Sequence, residues 1–263
     1  ALSVAPVMAG ETKVNLLDTP GYADFVGELR AGLRAADAAL FVVSAAEEVD
    51  AATVALWDEC ERVRMPRAVV VSKLDHPRAD FDDALARCQA AFGESVLPLY
   101  VPMASGGAPT GLLGLLTRTV SDYPDEAALP GTPPEMRPGT AEEIGGWDSA
   151  RGALIEGIIA ESEDETLMDR YLGGEDIGLD TIIGDLEKAV ARGSFFPVVP
   201  TSALAGIGTA EVLEVIGRGF PSTVEHAVPP VTDLEGAPVK GLRCDPDGPL
   251  VGEVVRTTVD PFL

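Results

Sequence analysis

Apolar and polar positions along the first third of the chain follow two alternating rhythms. Ala1 to Met8 alternates apolar and small residues, Gly10-Glu11-Thr12 turns the chain, and Val14 to Leu17 returns, which predicts a hairpin of two β-strands. The second strand ends at Asp18-Thr19-Pro20-Gly21. Beyond it Phe25, Leu29 and Leu33 recur at intervals of four and predict a helix. A buried-type strand over Ala38 to Ser44 comes next, and then Asp50, placed to cap a helix that carries Trp57, Cys60 and Val63 on one face. Trp57 is expected in the core, as aromatics on an apolar helix face are. The strand Ala68 to Val71 leads to a helix with Phe81, Leu85, Cys88 and Phe92 on one side and Gly93 at its end. Strand and helix at this short spacing predict a mainly parallel sheet with helices on both faces.

The rhythm then changes. Val96 to Val101 and Leu112 to Thr119 read as a hairpin around the Gly- and Pro-rich residues Ala104 to Thr110. Pro124 to Trp147, with five prolines and four glycines, reads as an irregular surface excursion. Helices are expected at Ala150 to Glu161 and Leu179 to Arg192, the second stopped by Gly193. A short strand follows at Phe196 to Pro200 and a last helix at Thr209 to Arg218. Val228 to Pro238 has the composition of a linker, and Val239 to Cys244 and Val251 to Val259 look like the first strands of a β domain. Both ends read as cut rather than finished.

Composition narrows the function classes. The 263 residues are 46% hydrophobic, enough for one sizeable core or two smaller ones. No apolar run reaches the ~18 residues of a spanning helix, and no leader pattern opens the chain, so no membrane role and no secretion are expected. Cys60, Cys88 and Cys244 are odd in number and far apart, with His76 and His226 as the only histidines. That spacing fits neither structural zinc nor a disulfide framework and suits a reducing cytoplasm. The net charge of −24, from 19 basic and 43 acidic residues, disfavours wrapping nucleic acid.

Three short motifs carry chemistry. At Asp18-Thr19-Pro20-Gly21 an aspartate at a strand end suits water-mediated Mg²⁺ binding, and a glycine three residues on lets a backbone N–H approach a terminal phosphate. The same four residues also make an ordinary turn. At Ser72-Lys73-Leu74-Asp75 one carboxylate, Asp75, is able to accept the adjacent N1–H and N2–H₂ donors of guanine and so reject adenine, with the stem of Lys73 along the base. A solvated Lys/Asp pair at a strand end is the plainer reading. At Thr201-Ser202-Ala203-Leu204 a small residue allows a backbone N–H to reach the guanine O6, although a plain loop has the same composition. All three motifs lie at the carboxyl ends of predicted strands, where open α/β sheets bind ligands. His76 reads as a solvated loop residue.

Order and context make the pattern specific. Val14 to Ala35, with Asp18-Thr19-Pro20-Gly21-Tyr22-Ala23-Asp24-Phe25 at its centre, resembles the switch II region of elongation factor G. Asp80-Phe81, Leu167-Met168-Asp169-Arg170-Tyr171-Leu172 and Asp260-Pro261-Phe262 fit the same family, nearest to the elongation-factor-G-like paralogue of high-GC bacteria. The resemblance covers essentially the whole chain. It implies an α/β, P-loop-type G domain truncated at its N-terminus, with an α+β insertion and the start of a β-barrel. The implied divisions are 1–94 for the partial G domain, 95–194 for the insertion, 195–224 for the end of the G domain, and 225–263 for linker and barrel.

It further implies GTP or GDP held by Asp18, Thr19, Pro20, Gly21, Tyr22, Ser72, Lys73, Leu74, Asp75, Ser202, Ala203 and Leu204, with Mg²⁺ on Asp18 through water. The implied setting is the cytoplasm, with the ribosome as partner and no sequence-specific nucleic acid. Two departures qualify the match. No Gly-Lys pair occurs in the chain, so the phosphate-gripping Gly-x₄-Gly-Lys-Ser/Thr loop is not in it, and the chain alone is expected to be inactive. Tyr22 stands where the family has its water-orienting histidine. The parent is therefore expected to be a GTPase of ribosomal translocation or, alternatively, a GTP-dependent ribosome-binding or ribosome-protection factor with weak hydrolysis. Ser72 replaces the usual asparagine, a change expected to loosen the tether between loops more than base choice.

Overall fold

Val69, Val70 and Val71 stand in register with Val198, Val199 and Pro200 of a strand more than a hundred residues away, and this parallel pairing organises the chain. The computed structural model describes residues 3–19, 26–105, 108–123, 133–225, 228, 230–255, 257 and 259. The elements begin with an antiparallel hairpin, β1 (Ser3–Ala9) and β2 (Thr12–Asp18), turned at Gly10 with φ 61°. Helix α1 (Val26–Ala35), strand β3 (Ala39–Ser44), helix α2 (Ala51–Arg62), strand β4 (Arg67–Ser72), helix α3 (Phe81–Phe92) and strand β5 (Val96–Pro98) then alternate as the hydrophobic spacing predicts. The insertion follows, with strands β6 (Tyr100–Ser105), β7 (Ala108–Gly114), β8 (Thr119–Asp122) and β9 (Glu135–Pro138). Helices α4 (Ala141–Gly145), α5 (Asp148–Ala160), α6 (Leu167–Leu172) and α7 (Leu179–Ala191) come after them. Strand β10 (Phe196–Pro200) and helix α8 (Thr209–Gly219) return to the main sheet.

That sheet runs β3-β4-β10-β5 and is parallel throughout. Alternation sends Phe41, Val43, Val69, Val71, Phe196 and Val198 to one face, into the main core with Trp57 and Cys60 of α2 and Cys88 and Phe92 of α3. Ala68 and Val199 face the other way, against Val215 of α8. Asp50 caps α2, accepting from the Thr53 N–H at 2.7 Å, as expected, and Asp80 caps α3 by the same contact with Asp83. Val63, expected on the buried face of α2, is exposed because the helix has ended there and it serves as the C-cap.

Arg67 opens β4 inside the aromatic core and is 1% exposed. Its guanidinium lies 4.3 Å from the Trp57 ring centre and 4.4 Å from that of Phe196, and Nη1 donates to the Trp57 carbonyl at 2.9 Å. Trp57 in turn stacks on Phe92 with centroids 4.3 Å apart. No carboxylate makes an ion pair with Arg67 among the described residues, so the ring faces replace a counter-ion. Burial lowers its pKa.

The hairpin expected from Val96 to Thr119 is divided differently. Val96–Pro98 pairs with β10 in the parallel sheet, because its alternate side chains, Val96 and Pro98, are both buried. The antiparallel sheet starts only at Tyr100 and runs β6-β7-β8-β9. Thr119 begins a separate strand after a turn at Arg118, which takes the left-handed φ of 57°. The excursion expected to be irregular contains β9 and α4, and its residues 124–132 lie outside the described ones. Thr140 and Glu143 form a capping box there, and Arg137 bonds both Glu143 and Asp122, local links that composition does not disclose. From residue 228 on, the expected strands form no ladder among the described residues, an isolated Thr232–Pro238 bridge aside. The Asp260-Pro261-Phe262 stretch and His226 lie outside the described residues.

Arg67→Ala is expected to cost about 3 kcal/mol of unfolding free energy and Arg67→Lys about 1–2 kcal/mol, since an ammonium cannot stack flat against two rings. Urea denaturation followed by tryptophan fluorescence measures both; equal stability of the Lys and Arg proteins would contradict the stacking.

Candidate functional site

The register of β4 with β10 leaves two loops side by side at the carboxyl ends of the strands. The first begins at Ser72, whose hydroxyl donates to the Val43 carbonyl at 2.9 Å and ties the end of β4 to β3. Lys73 adopts φ 63°, an uncommon conformation for a side-chain-bearing residue, and this reverses the chain. Leu74 therefore points back into the core at 9% exposure, and its N–H donates to the Thr201 carbonyl at 3.2 Å. Asp75 is left exposed at the loop's mouth.

The second loop leaves β10 at Thr201, whose N–H donates to the Val71 carbonyl at 2.7 Å. Ser202 and Ile207 exchange both backbone hydrogen bonds at 3.0 Å, pinching the loop into a narrow neck with Ala203 and Leu204 exposed at its tip. Ser202 is fully buried, and its hydroxyl donates to Asp75 Oδ1 at 2.5 Å. One oxygen of the Asp75 carboxylate is thus oriented from below, while the carboxylate as a whole still faces solvent. Gly208 closes the neck at φ 83°, and a Cβ there would lie 2.3 Å from the Pro200 carbonyl oxygen. Only glycine satisfies both constraints.

Electrostatics at the mouth centre on one exposed pair. Lys73 Nζ sits 3.1 Å from Glu47, whose pKa is lowered chiefly by that hydrogen bond and next by the Ser44 hydroxyl. His76 is a loop residue, as expected: its Nδ1 accepts the Arg78 N–H at 3.1 Å.

Ser72, Lys73, Leu74, Asp75, Ser202, Ala203 and Leu204 thus come together in one place. Leu74 does so through its backbone, its side chain being core. Asp18 ends β2 in the separate hairpin and Thr19 follows it, and no hydrogen bond or ion pair joins them to the two loops among the described residues. Pro20, Gly21 and Tyr22 lie outside the described residues. Glu47, Gly208, Tyr123 and Glu211, all in contact with this region, are not singled out by the motifs. Of the residues missed, Gly208 had a signal in the sequence, the Gly206-Ile207-Gly208 spacing ahead of a helix.

Chemically, an exposed, oriented carboxylate suits two parallel N–H donors, as the guanine edge presents them, and the exposed backbone at Ala203 suits a base carbonyl. For a metal the donor set is thinner. Asp18 is a single exposed carboxylate, and no group of three or more His, Cys, Asp or Glu able to hold an ion occurs among the described residues. Mg²⁺ accepts such a site when phosphates and waters supply its other ligands. No helix among the described residues is long and apolar enough to cross a membrane.

Comparison with known proteins gives a family match over most of the chain. Residues 2–222 match the model of the elongation factor Tu GTP binding domain. An elongation factor G-like protein of Mycobacterium tuberculosis is 56% identical over 262 residues, covering 100% of this chain and 35% of that protein. A protein of the same description from Thermotoga maritima is 28% identical over 95% of the chain. The chain therefore spans about a third (35%) of the length of these relatives. A crystal structure of a protein from Thermus thermophilus superposes with a TM-score of 0.73 at 35% identity, covering 85% of this chain and 32% of that one.

Gly208→Ala is expected to destabilise the protein by about 3 kcal/mol, against about 1 kcal/mol for Gly174→Ala, where φ is also positive but the space is open. Thermal unfolding of the two variants checks this, and equal losses would mean that the neck tolerates a methyl group.

Proposed function

This chain belongs to the family of the elongation factor Tu GTP binding domain, and on that premise we propose that it is the base-reading portion of an elongation-factor-G-like translational GTPase acting in GTP-dependent ribosomal translocation. The observation that carries the reading is the Ser202–Asp75 contact at 2.5 Å, which presets an exposed carboxylate between two strand-end loops. Asp75 accepts the N1–H and N2–H₂ of guanine, the amide at Ala203 meets O6, and the stem of Lys73 lies along the base once its Glu47 partner yields. Ser72 holds the first loop to β3 in place of a direct ligand contact. Asp18, Thr19, Pro20 and Gly21 serve the phosphate end, Asp18 holding Mg²⁺ through water. The metal, when bound, neutralises charge that develops on the phosphates. The protein works in the cytoplasm with the ribosome as its partner.

Because the Gly-x₄-Gly-Lys-Ser/Thr loop is not in this sequence, the chain by itself hydrolyses no GTP at a useful rate. A second reading rests on Tyr22, which occupies the position of the family's water-orienting histidine. A phenol, with a reference pKa of about 10, cannot act as an imidazolium-like donor near neutrality. In this reading the protein is a GTP-dependent ribosome-binding or protection factor with weak hydrolysis.

Calorimetric titration of GDP and ADP tests the base-reading half: GDP alone is expected to bind, and Asp75→Asn to weaken it by about 30-fold. Equal affinity for ADP would overturn the assignment of Asp75. Ribosome-stimulated phosphate release separates the two functional readings. Tyr22→His in the complete protein raises turnover by roughly 10-fold or more if a water-orienting group is what hydrolysis lacks, and leaves it unchanged if tyrosine already performs that task.

A further inference from the structure

The neck of the second loop rests on the inserted sheet, and one side chain joins them. Tyr123, just past the end of β8, is 6% exposed, and its N–H donates to the Thr110 carbonyl at 3.0 Å, fixing it to β7. Its hydroxyl accepts the Gly208 N–H at 3.2 Å and donates to Glu211 Oε2 at 2.6 Å. Glu211, in the first turn of α8, is 4% exposed and makes no ion pair among the described residues, so the phenol is the group that satisfies it. Tyr123 also packs with Leu112 of β7 and with Ile207, the residue whose backbone pairs with Ser202. A continuous path thus runs from β7 and β8 through Tyr123 to Gly208 and Ile207, then to Ser202, and from the Ser202 hydroxyl to Asp75.

We propose that Tyr123, backed by Glu211, is a positioning residue for guanine-nucleotide binding: it holds the Ser202–Gly208 neck closed from the inserted sheet and so sets the rate at which nucleotide leaves. The proposal rests on the reading of Asp75 and Ala203 as the base-binding groups. Neither Tyr123 nor Glu211 touches the base. They act by keeping Ile207 and Gly208 in register, which keeps Ser202 buried and its hydroxyl aimed at Asp75. Removing the phenol oxygen leaves the Gly208 N–H and the Glu211 carboxylate buried without this partner, and the neck opens to hydrate them. Packing changes anywhere in β7 or β8 reach the base-reading carboxylate by the same route.

The test compares Tyr123→Phe with Tyr100→Phe in the complete protein. Tyr100 lies in the same sheet and packs against the same Leu112, Tyr123 and Ile207 cluster, but its hydroxyl donates to Glu214 at 2.9 Å and not to a loop group, so Tyr100→Phe controls for loss of a comparable hydrogen bond. With a fluorescent GDP, Tyr123→Phe is expected to speed release about 5- to 10-fold, the effect of one buried polar contact, while Tyr100→Phe leaves it unchanged. The preference for GDP over IDP, which lacks the amino group that Asp75 reads, falls in Tyr123→Phe only. Glu211→Gln retains an acceptor without the charge and is expected to speed release about two- to threefold, which keeps the test decisive if Tyr123→Phe does not fold. Release rates of both variants equal to the unsubstituted protein's overturn the proposal alone. Failure of the unsubstituted protein to bind GDP overturns the reading of the site, and the proposal with it.

Discussion

Everything in the site depends on the parallel register between β4 and β10. These strands come from distant parts of the chain, and only their pairing brings Ser72–Asp75 beside Thr201–Leu204. Two backbone bonds repeat the pairing beyond the strands: Thr201 N–H to Val71 and Leu74 N–H to Thr201. A slip of one residue would turn Val69, Val71 and Val198 out of the core and part Ser202 from Asp75 at the same time. Burial of three valines and the geometry of a surface carboxylate are therefore one constraint. The core side of that register is fixed by Trp57, Phe92 and Phe196 around Arg67, a polar group buried without a counter-ion among the described residues because the ring faces supply negative potential on both sides.

The insertion between β5 and β10 is more than a passenger on this sheet. Leu112 and Tyr123 pack against Ile207, so the neck of the second loop has one wall in each sheet. Glycine at 208 follows from the neck itself, since the chain must turn with positive φ within van der Waals reach of Pro200 and Thr201. The charged surface has a different logic. Most ion pairs are exposed, such as Arg30–Glu59 and Arg192–Glu163, and add little to stability each. They distribute the few cations over a strongly acidic chain.

Much of this was legible in the residues. The three- and four-residue spacing of Phe81, Leu85, Cys88 and Phe92 and the caps at Asp50 and Gly93 mark helices that the structure contains, and two of the three motifs mark the strand ends that meet. The break at Leu99 was not legible: Val96 to Val101 is apolar throughout, and which sheet each half joins is decided by β10 and β7, both remote in sequence. Val63 shows the same limit, because periodicity does not say where a helix stops. The support from Tyr123 and Glu211 was invisible for a related reason. Each is an ordinary residue in its own segment, and its role arises only when two sheets pack. Glu47 escaped notice because an exposed glutamate acquires meaning only beside Lys73.

Amide hydrogen exchange on the nucleotide-free protein tests the central claim, that the two loops are prebuilt by the sheet rather than ordered by a ligand. The amides of Thr201, Ile207 and Gly208 each donate a backbone or Tyr123 bond, and the account predicts that they exchange as slowly as those of Val198 and Val199 in β10, before any nucleotide is added. Exchange of these three at the rate of an open loop, with protection appearing only on addition of GDP, would contradict it.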